Sequence, residues 1–298
     1  MPEAMTVTVV GAGGKMGMRV SANLDRAPYT TFYAETFPAA RDRVTAAGRT
    51  LTDAMDAVPR SDVVILAVPD VLLGEISAQI VPAAKPGAII LTLDPAAAYA
   101  GVLARRDDLH LAVAHPCHPS VFLERTSAAE WADTFGGEAA PQDVVAAIES
   151  GGDEARERAE EVVRTMYGPV LDVHWVTVEQ LAYLEPTLVE TITCMISGLL
   201  AEALHETVAT VGVPEAAAKA MLFGHTQVAL TNSLRGSNPF SEGCLIAMGY
   251  GRESIIRDDW KKVFDRAELD RVIARMLKIK QVRPAGPEPS AATAPLSS

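Results

Sequence analysis

The 298-residue chain sets 26 Lys and Arg against 38 Asp and Glu, a formal charge of -12 that repels nucleic acid over most of its surface. With 49% hydrophobic and 21% charged residues it has the means to bury a large core, which excludes general disorder. Cys117, Cys194 and Cys244 are odd in number and far apart, so they make no disulfide framework and fit a reducing, cytoplasmic compartment.

Met1 to Met5 shows neither a basic n-region nor a cleavable apolar segment, so no export signal is expected. From Thr6 the chain alternates short β-rich runs with helical segments, the pattern of a parallel sheet wound on both faces. The expected strands are Thr6 to Val10, Thr31 to Glu35, Val63 to Val68, Ala88 to Leu93 and Leu109 to Ala114. Helices are expected at Lys15 to Arg26 and Val71 to Val81. A last strand pair, Val144 to Ile148 and Val170 to Val173, flanks the charged helix Asp153 to Met166.

The first strand runs straight into Gly11-Ala12-Gly13-Gly14-Lys15-Met16-Gly17. A glycine turn between a strand and a helix brings backbone amides and a helix N-terminus against a pyrophosphate. Glu35, at the end of the next strand, is placed to accept hydrogen bonds from the adenosine ribose and to repel a 2′-phosphate, so NAD is expected over NADP. Val68 and Pro69 shape a loop at the carboxyl edge where dinucleotides lie, and Asp94-Pro95 ends the following strand at the same edge.

The chemistry is expected at His115-Pro116-Cys117-His118-Pro119-Ser120, where two prolines stiffen a turn carrying two imidazoles. Histidine serves as acid, base or metal ligand near neutral pH, and either His115 or His118 fits the proton-transfer role. Cys117 has no C-x-x-C partner and is expected as a packed thiol. Beyond His174 the texture changes to long apolar helices, Val176 to Val211, which must be buried, between subunits if not within one. Their interruption by Glu190 and Glu202 argues against a membrane span. Glu185, followed by the helix-opening or kinking Pro186, is a candidate metal ligand, substrate clamp or base. Arg235 and Asn238, in a polar turn, are candidates for binding a substrate carboxylate. The expected division is a dinucleotide-binding Rossmann domain at 1–174, a mostly α-helical substrate and dimerisation domain at 175–281, and a Pro, Ala and Ser-rich disordered tail at 282–298.

The order of strand, glycine turn, Glu35, Val68-Pro69-Asp70 and a His-Pro turn resembles the 6-phosphogluconate dehydrogenase-like superfamily, with prephenate dehydrogenases as an analogy for the His-Pro pair. The glycine turn alone also resembles dihydrodipicolinate reductase, but the helical second half does not. Across nearly the whole chain, through His115-Pro116-Cys117-His118-Pro119, Leu184-Glu185-Pro186 and Asn238-Pro239-Phe240-Ser241, the sequence most resembles the D-apionate oxidoisomerase family. The resemblance implies NAD-dependent oxidation of a branched sugar acid coupled to a shift of its carbon skeleton, giving 3-oxo-isoapionate. A divalent ion on His115 and Glu185, zinc first among candidates, would hold adjacent substrate oxygens. Two other readings stand beside it: a hydroxy-acid or prephenate-like dehydrogenase without rearrangement, and a non-catalytic NAD sensor.

Overall fold

The computed structural model describes residues 4–282, so the expected tail lies, after its first residue, outside the described residues. Among the described residues seven strands form one sheet: β1 (Thr6–Val10), β2 (Thr30–Ala34), β3 (Val63–Leu66), β4 (Ile89–Thr92), β5 (His110–Pro116), β6 (Gln142–Ile148) and β7 (Val170–Trp175), in the order β2-β1-β3-β4-β5-β6-β7. β1 to β5 are parallel, with helices as crossovers: α1 (Lys15–Leu24) and α2 (Pro38–Ala46) flank β2, and α3 (Asp70–Ile80) links β3 to β4. Every residue of β3 and β4 is buried, as unbroken aliphatic runs require when helices cover both faces.

The expected doubly wound parallel sheet is present, with one antiparallel pairing in it: β6 runs antiparallel to β5, and β7 parallel to β6. The connection from β5 to β6 holds only the short helix Ala128–Ala132, whereas a parallel return needs a crossover that spans the sheet. After β6 comes α4 (Gly152–Met166), whose Ala159, Val162, Val163 and Met166 share a core with Val20 and Leu24 of α1.

Strand ends also move. β2 stops at Ala34, leaving Glu35 just beyond it, and β3 stops at Leu66, leaving Val68 in the loop. β5 continues through Pro116, so His115 is a strand residue and the turn begins after it; Pro116 is tolerated because its nitrogen faces the β4 side, where pairing has already ended at Val113.

The chain forms two compact units, one running to Glu185 and resuming at Asp270, the other Pro186–Leu269. This differs from a division at 174/175. Leu181 and Ala182 of α5 (Val178–Ala182) are fully buried beyond that point, and the final helix returns to the first unit, where Tyr99 Oη donates to Asp270 Oδ1 at 2.7 Å. In the second unit, α6 (Met195–Ala209), α7 (Glu215–Arg235) and α8 (Glu242–Ile255) bury a single residue, Ala218. The expected burial of the apolar stretch from Val176 to Val211 is therefore met within one chain at Leu181 and Ala182 but not along α6. Pro186 neither opens a helix nor breaks one: Tyr183–Cys194 is wound as a widened π-helical segment, which accommodates the missing N–H. The helical run Val178–Ala209 is long and apolar enough to cross a membrane by length and composition alone.

Candidate active site

The sheet's carboxyl edge gathers the ends of β1 to β5. After β1, Gly11 takes φ +82, and a Cβ there would meet Ala67 O at 2.5 Å, so only glycine fits. Gly13 is tight for a different reason, since its missing Cβ admits Ala40 O of α2 at 2.2 Å. Gly14 is the N-cap of α1 and offers no side-chain acceptor, so the first-turn amides at Lys15, Met16 and Gly17 begin a ten-residue helix without a side-chain cap. Glu35 lies beside this turn: Oε2 accepts from Gly13 N at 3.0 Å, and Oε1 accepts from Thr36 N and Phe37 N at 2.8 and 3.1 Å. Val68 is half-buried behind Gly11, and Pro69 is the exposed N-cap of α3.

Neighbouring β4 and β5 set a second cluster. His115 Nδ1 donates to Leu93 O at 3.0 Å, which leaves Nε2 as the unprotonated nitrogen. That nitrogen faces Glu185 Oε1 at 3.6 Å. Burial pushes the His115 imidazole down to about 4; the Leu93 hydrogen bond opposes this, and the neighbouring His118 adds to it. Glu185 is 7% exposed. Asp94 completes the group: ligand atoms of Asp94, His115 and Glu185 lie within 4.8 Å of one another. Asp94 Oδ1 also accepts from Ala96 N at 2.8 Å, which fixes its carboxylate. Sequence reasoning placed Asp94 at the edge but gave it no role.

His118 sits 6.4 Å from His115, ring centre to ring centre, in the loop beyond β5. It takes φ +60, and its Nδ1 donates to Phe135 O at 2.7 Å, again leaving Nε2 as the acceptor. The adjoining loop is folded around Asp133, whose carboxylate accepts from the amides of Gly136, Glu138, Ala139 and Ala140 at 2.8 to 3.1 Å. Cys117, one residue past the end of β5, is exposed, against the expectation of a packed thiol, although its N–H donates to Asp143 O at 2.9 Å. Arg235 ends α7 and Asn238 lies in the loop after it, both exposed and both in the second unit. A cavity of about 510 Å³ at the opposite, amino edge is lined by Asp62, Lys85, His110 and Arg158, but its Lys85 is already paired with Asp62 at 2.7 Å.

Residues 123–277 match the family model described as phosphogluconate dehydrogenase (decarboxylating), C-terminal. The chain is 60% identical over 280 residues to a D-apionate oxidoisomerase of Pectobacterium atrosepticum, covering 94% of this chain and 98% of that protein. To a D-apionate oxidoisomerase of Cupriavidus necator it is 40% identical over 274 residues, covering 91% and 98%. A solved structure from Cupriavidus necator, described as a semialdehyde dehydrogenase NAD-binding protein in complex with calcium and NAD, superposes with a TM-score of 0.88 at 40% identity, over 92% of this chain and 100% of that one.

Proposed function

The chain belongs to the D-apionate oxidoisomerase family and is an NAD-dependent dehydrogenase of CH–OH groups; from that premise we propose that it oxidises D-apionate and shifts its carbon skeleton to give 3-oxo-isoapionate. The observation that carries this reading is the Asp94, His115 and Glu185 cluster beside a second histidine at the carboxyl edge of the sheet. Oxidation alone needs a base and a hydride acceptor. A skeletal shift also needs two adjacent substrate oxygens held and polarised together.

The glycine turn fits a dinucleotide, because α1 opens without a side-chain cap at the sheet edge and Glu35 stands beside it. The cluster fits a divalent ion. Donors around such an ion sit about 2.0–2.5 Å from it, and the observed donor separations span a sphere of that size. Its imidazole nitrogen is unprotonated and its two carboxylates supply the charge that a cation offsets. Bound NAD supplies the hydride acceptor, and a divalent ion supplies Lewis acidity toward the substrate oxygens.

The chain's own work divides accordingly. Amides at the start of α1 bind the pyrophosphate, with Gly11, Gly13, Gly14, Lys15, Met16 and Gly17 forming the turn, Glu35 reading the ribose, and Val68 and Pro69 walling the edge. Asp94, His115 and Glu185 hold the ion. Because His115 Nε2 is directed at this cluster, the hydroxyl proton goes to His118 Nε2 as the C–H bond gives up its hydride. Arg235 and Asn238, exposed at and just beyond the end of α7, carry donors of the kind that bind a carboxylate. The exposed apolar side chains of α6 and α7, among them Met195, Ile196, Phe223, Val228 and Leu234, are covered by a second copy of the chain in a cytoplasmic homodimer.

The deciding experiment follows NADH formation from D-apionate and determines the product's carbon connectivity by 13C NMR. A rearranged skeleton supports the reading. An oxidised product with the substrate's connectivity, or no NADH at all, rejects it.

A further inference from the structure

Phe135 lies in the loop between β5 and β6, and its ring touches three functional groups from two places in the chain. The His118 ring is 4.4 Å away, centre to centre, tilted by 45°. Lys15 Nζ lies 4.7 Å and Arg19 Cζ 4.5 Å from the ring centre, both on α1 and the first of them within the glycine turn. Cations at this range are attracted to the electron-rich face of an aromatic ring.

The backbone of the same residue fixes the imidazole. Phe135 O accepts from His118 Nδ1 at 2.7 Å, which selects the tautomer whose Nε2 is free of hydrogen. His118 holds φ +60, a conformation that a non-glycine residue keeps only where its surroundings enforce it. Phe135 is in turn pinned to α1: Arg19 Nη2 donates to Gly136 O and lies 3.5 Å from Asp133 Oδ1, and Asn23 Nδ2 donates to Gly137 O at 3.0 Å. A continuous set of contacts therefore runs from the helix that begins at the cofactor turn, through one phenyl ring, to the imidazole.

We propose that Phe135 is a positioning residue for the oxidation: its ring and carbonyl orient His118 while the same ring packs on Lys15 and Arg19, so that the base and the nucleotide turn are located by one strut. Hydride and proton leave the same carbinol group, so the acceptors of both must be placed relative to each other. Misplacement of about 1 Å at such a site costs roughly 100-fold in rate. The inference rests on the reading of His118 as the base, and the experiment separates the two.

Full-length Phe135→Leu, which keeps bulk and loses the aromatic face, is compared with Phe135→Tyr, which keeps both. Expected for Phe135→Leu is a fall in kcat of roughly 10- to 100-fold with at most a few-fold change in NADH dissociation constant, while Phe135→Tyr stays within a few-fold of wild type. Two-bond 1H–15N spectra of histidine-labelled protein report the tautomer directly, and His118→Gln identifies the resonance among six histidines by its disappearance. The wild type should show a single Nδ1-protonated form, Phe135→Tyr the same, and Phe135→Leu a mixture. Equal impairment of the Leu and Tyr variants with matching losses of thermal stability, or an unchanged tautomer and kcat in Phe135→Leu, overturns the strut. Near wild-type kcat in His118→Gln instead overturns the base assignment; the tautomer spectra then judge the positioning of the imidazole without reference to turnover.

Discussion

His115 turns Nε2 toward Glu185 Oε1 at 3.6 Å, while its other nitrogen is held by Leu93 O at 3.0 Å. With the proton on Nδ1, two electron-rich atoms face each other in a largely buried setting, and Asp94 brings a third donor to the same point. Glu185→Gln and Asp94→Asn preserve shape and remove one negative donor each. Both should lower metal content measured by elemental analysis, and turnover by at least ~100-fold, with NADH affinity within a few-fold of wild type. Zinc is expected to restore chelated wild type best, and calcium, the ion in the solved relative, is the comparison to run beside it. Full turnover in metal-free protein rejects the assignment.

Glu35 spends both carboxylate oxygens on backbone amides, Gly13 on one and Thr36 and Phe37 on the other. The side chain is thereby fixed where a 2′-phosphate would bring more negative charge, which predicts NADH over NADPH. Glu35→Ser removes the repulsion and also loosens the turn. Fluorescence titration should show weaker NADH binding and a NADH to NADPH affinity ratio at least ~10-fold smaller, equivalent to ~1.4 kcal/mol. Wild type binding NADPH as tightly as NADH defeats the argument.

How far the sequence revealed this site depends on whether the signal was local. The glycine turn, Glu35 and the His-Pro pair sit at the ends of strongly aliphatic strands, so their shared edge followed from sheet architecture alone. Asp94 did too, but its role needed the knowledge that β4 and β5 are neighbours, which the pairing Thr92 with Val113 supplies. The direction of β6 was hidden because an apolar run reads the same either way; the absence of a long crossover helix between 117 and 141 was the available clue. Phe135 and Asp133 carry no motif at all. Their importance is tertiary, arising from contacts to α1 more than a hundred residues earlier.

The second unit predicts association. Phe223 and Leu234 on α7 are 63% and 69% exposed, on a helix that buries only Ala218. Burying one such side chain is worth about 1.5–3 kcal/mol, so several together hold two copies firmly. Sedimentation equilibrium should find a dimer at micromolar concentration. Phe223→Asp should weaken it by roughly 100-fold or more, since it forfeits that burial and adds an unpaired charge. A wild-type monomer under the same conditions removes the proposal.

Asp133 ties the His118-bearing loop together, and its chemistry gives a pH-dependent test. Burial alone would raise its carboxyl, but bonds from the amides of Ala139, Ala140, Glu138 and Gly136 outweigh that and hold it below the usual carboxylate range. A carboxylate whose folded value is depressed adds stability that is full above its unfolded value, about 3.9, and drains away as pH falls through the folded value. Asp133→Asn is the informative variant. Whichever way its amide faces, an NH2 group meets amides that themselves donate; if it replaces Oδ2 it confronts Glu138, Ala139 and Ala140 together. Leaving buried donors unsatisfied costs about 1–3 kcal/mol, so at pH 7 the melting temperature should drop by several degrees. As pH falls below about 3.9 the unfolded chain takes up the proton first and the wild type's advantage drains away, until below the depressed folded value the folded carboxyl is itself protonated and loses the same bonds; the gap between the two proteins should therefore shrink as pH falls. Melting curves from pH 7 down to the acid limit of folding decide it: a gap that stays constant, or none at pH 7, would show that the loop is not held by the charge on Asp133.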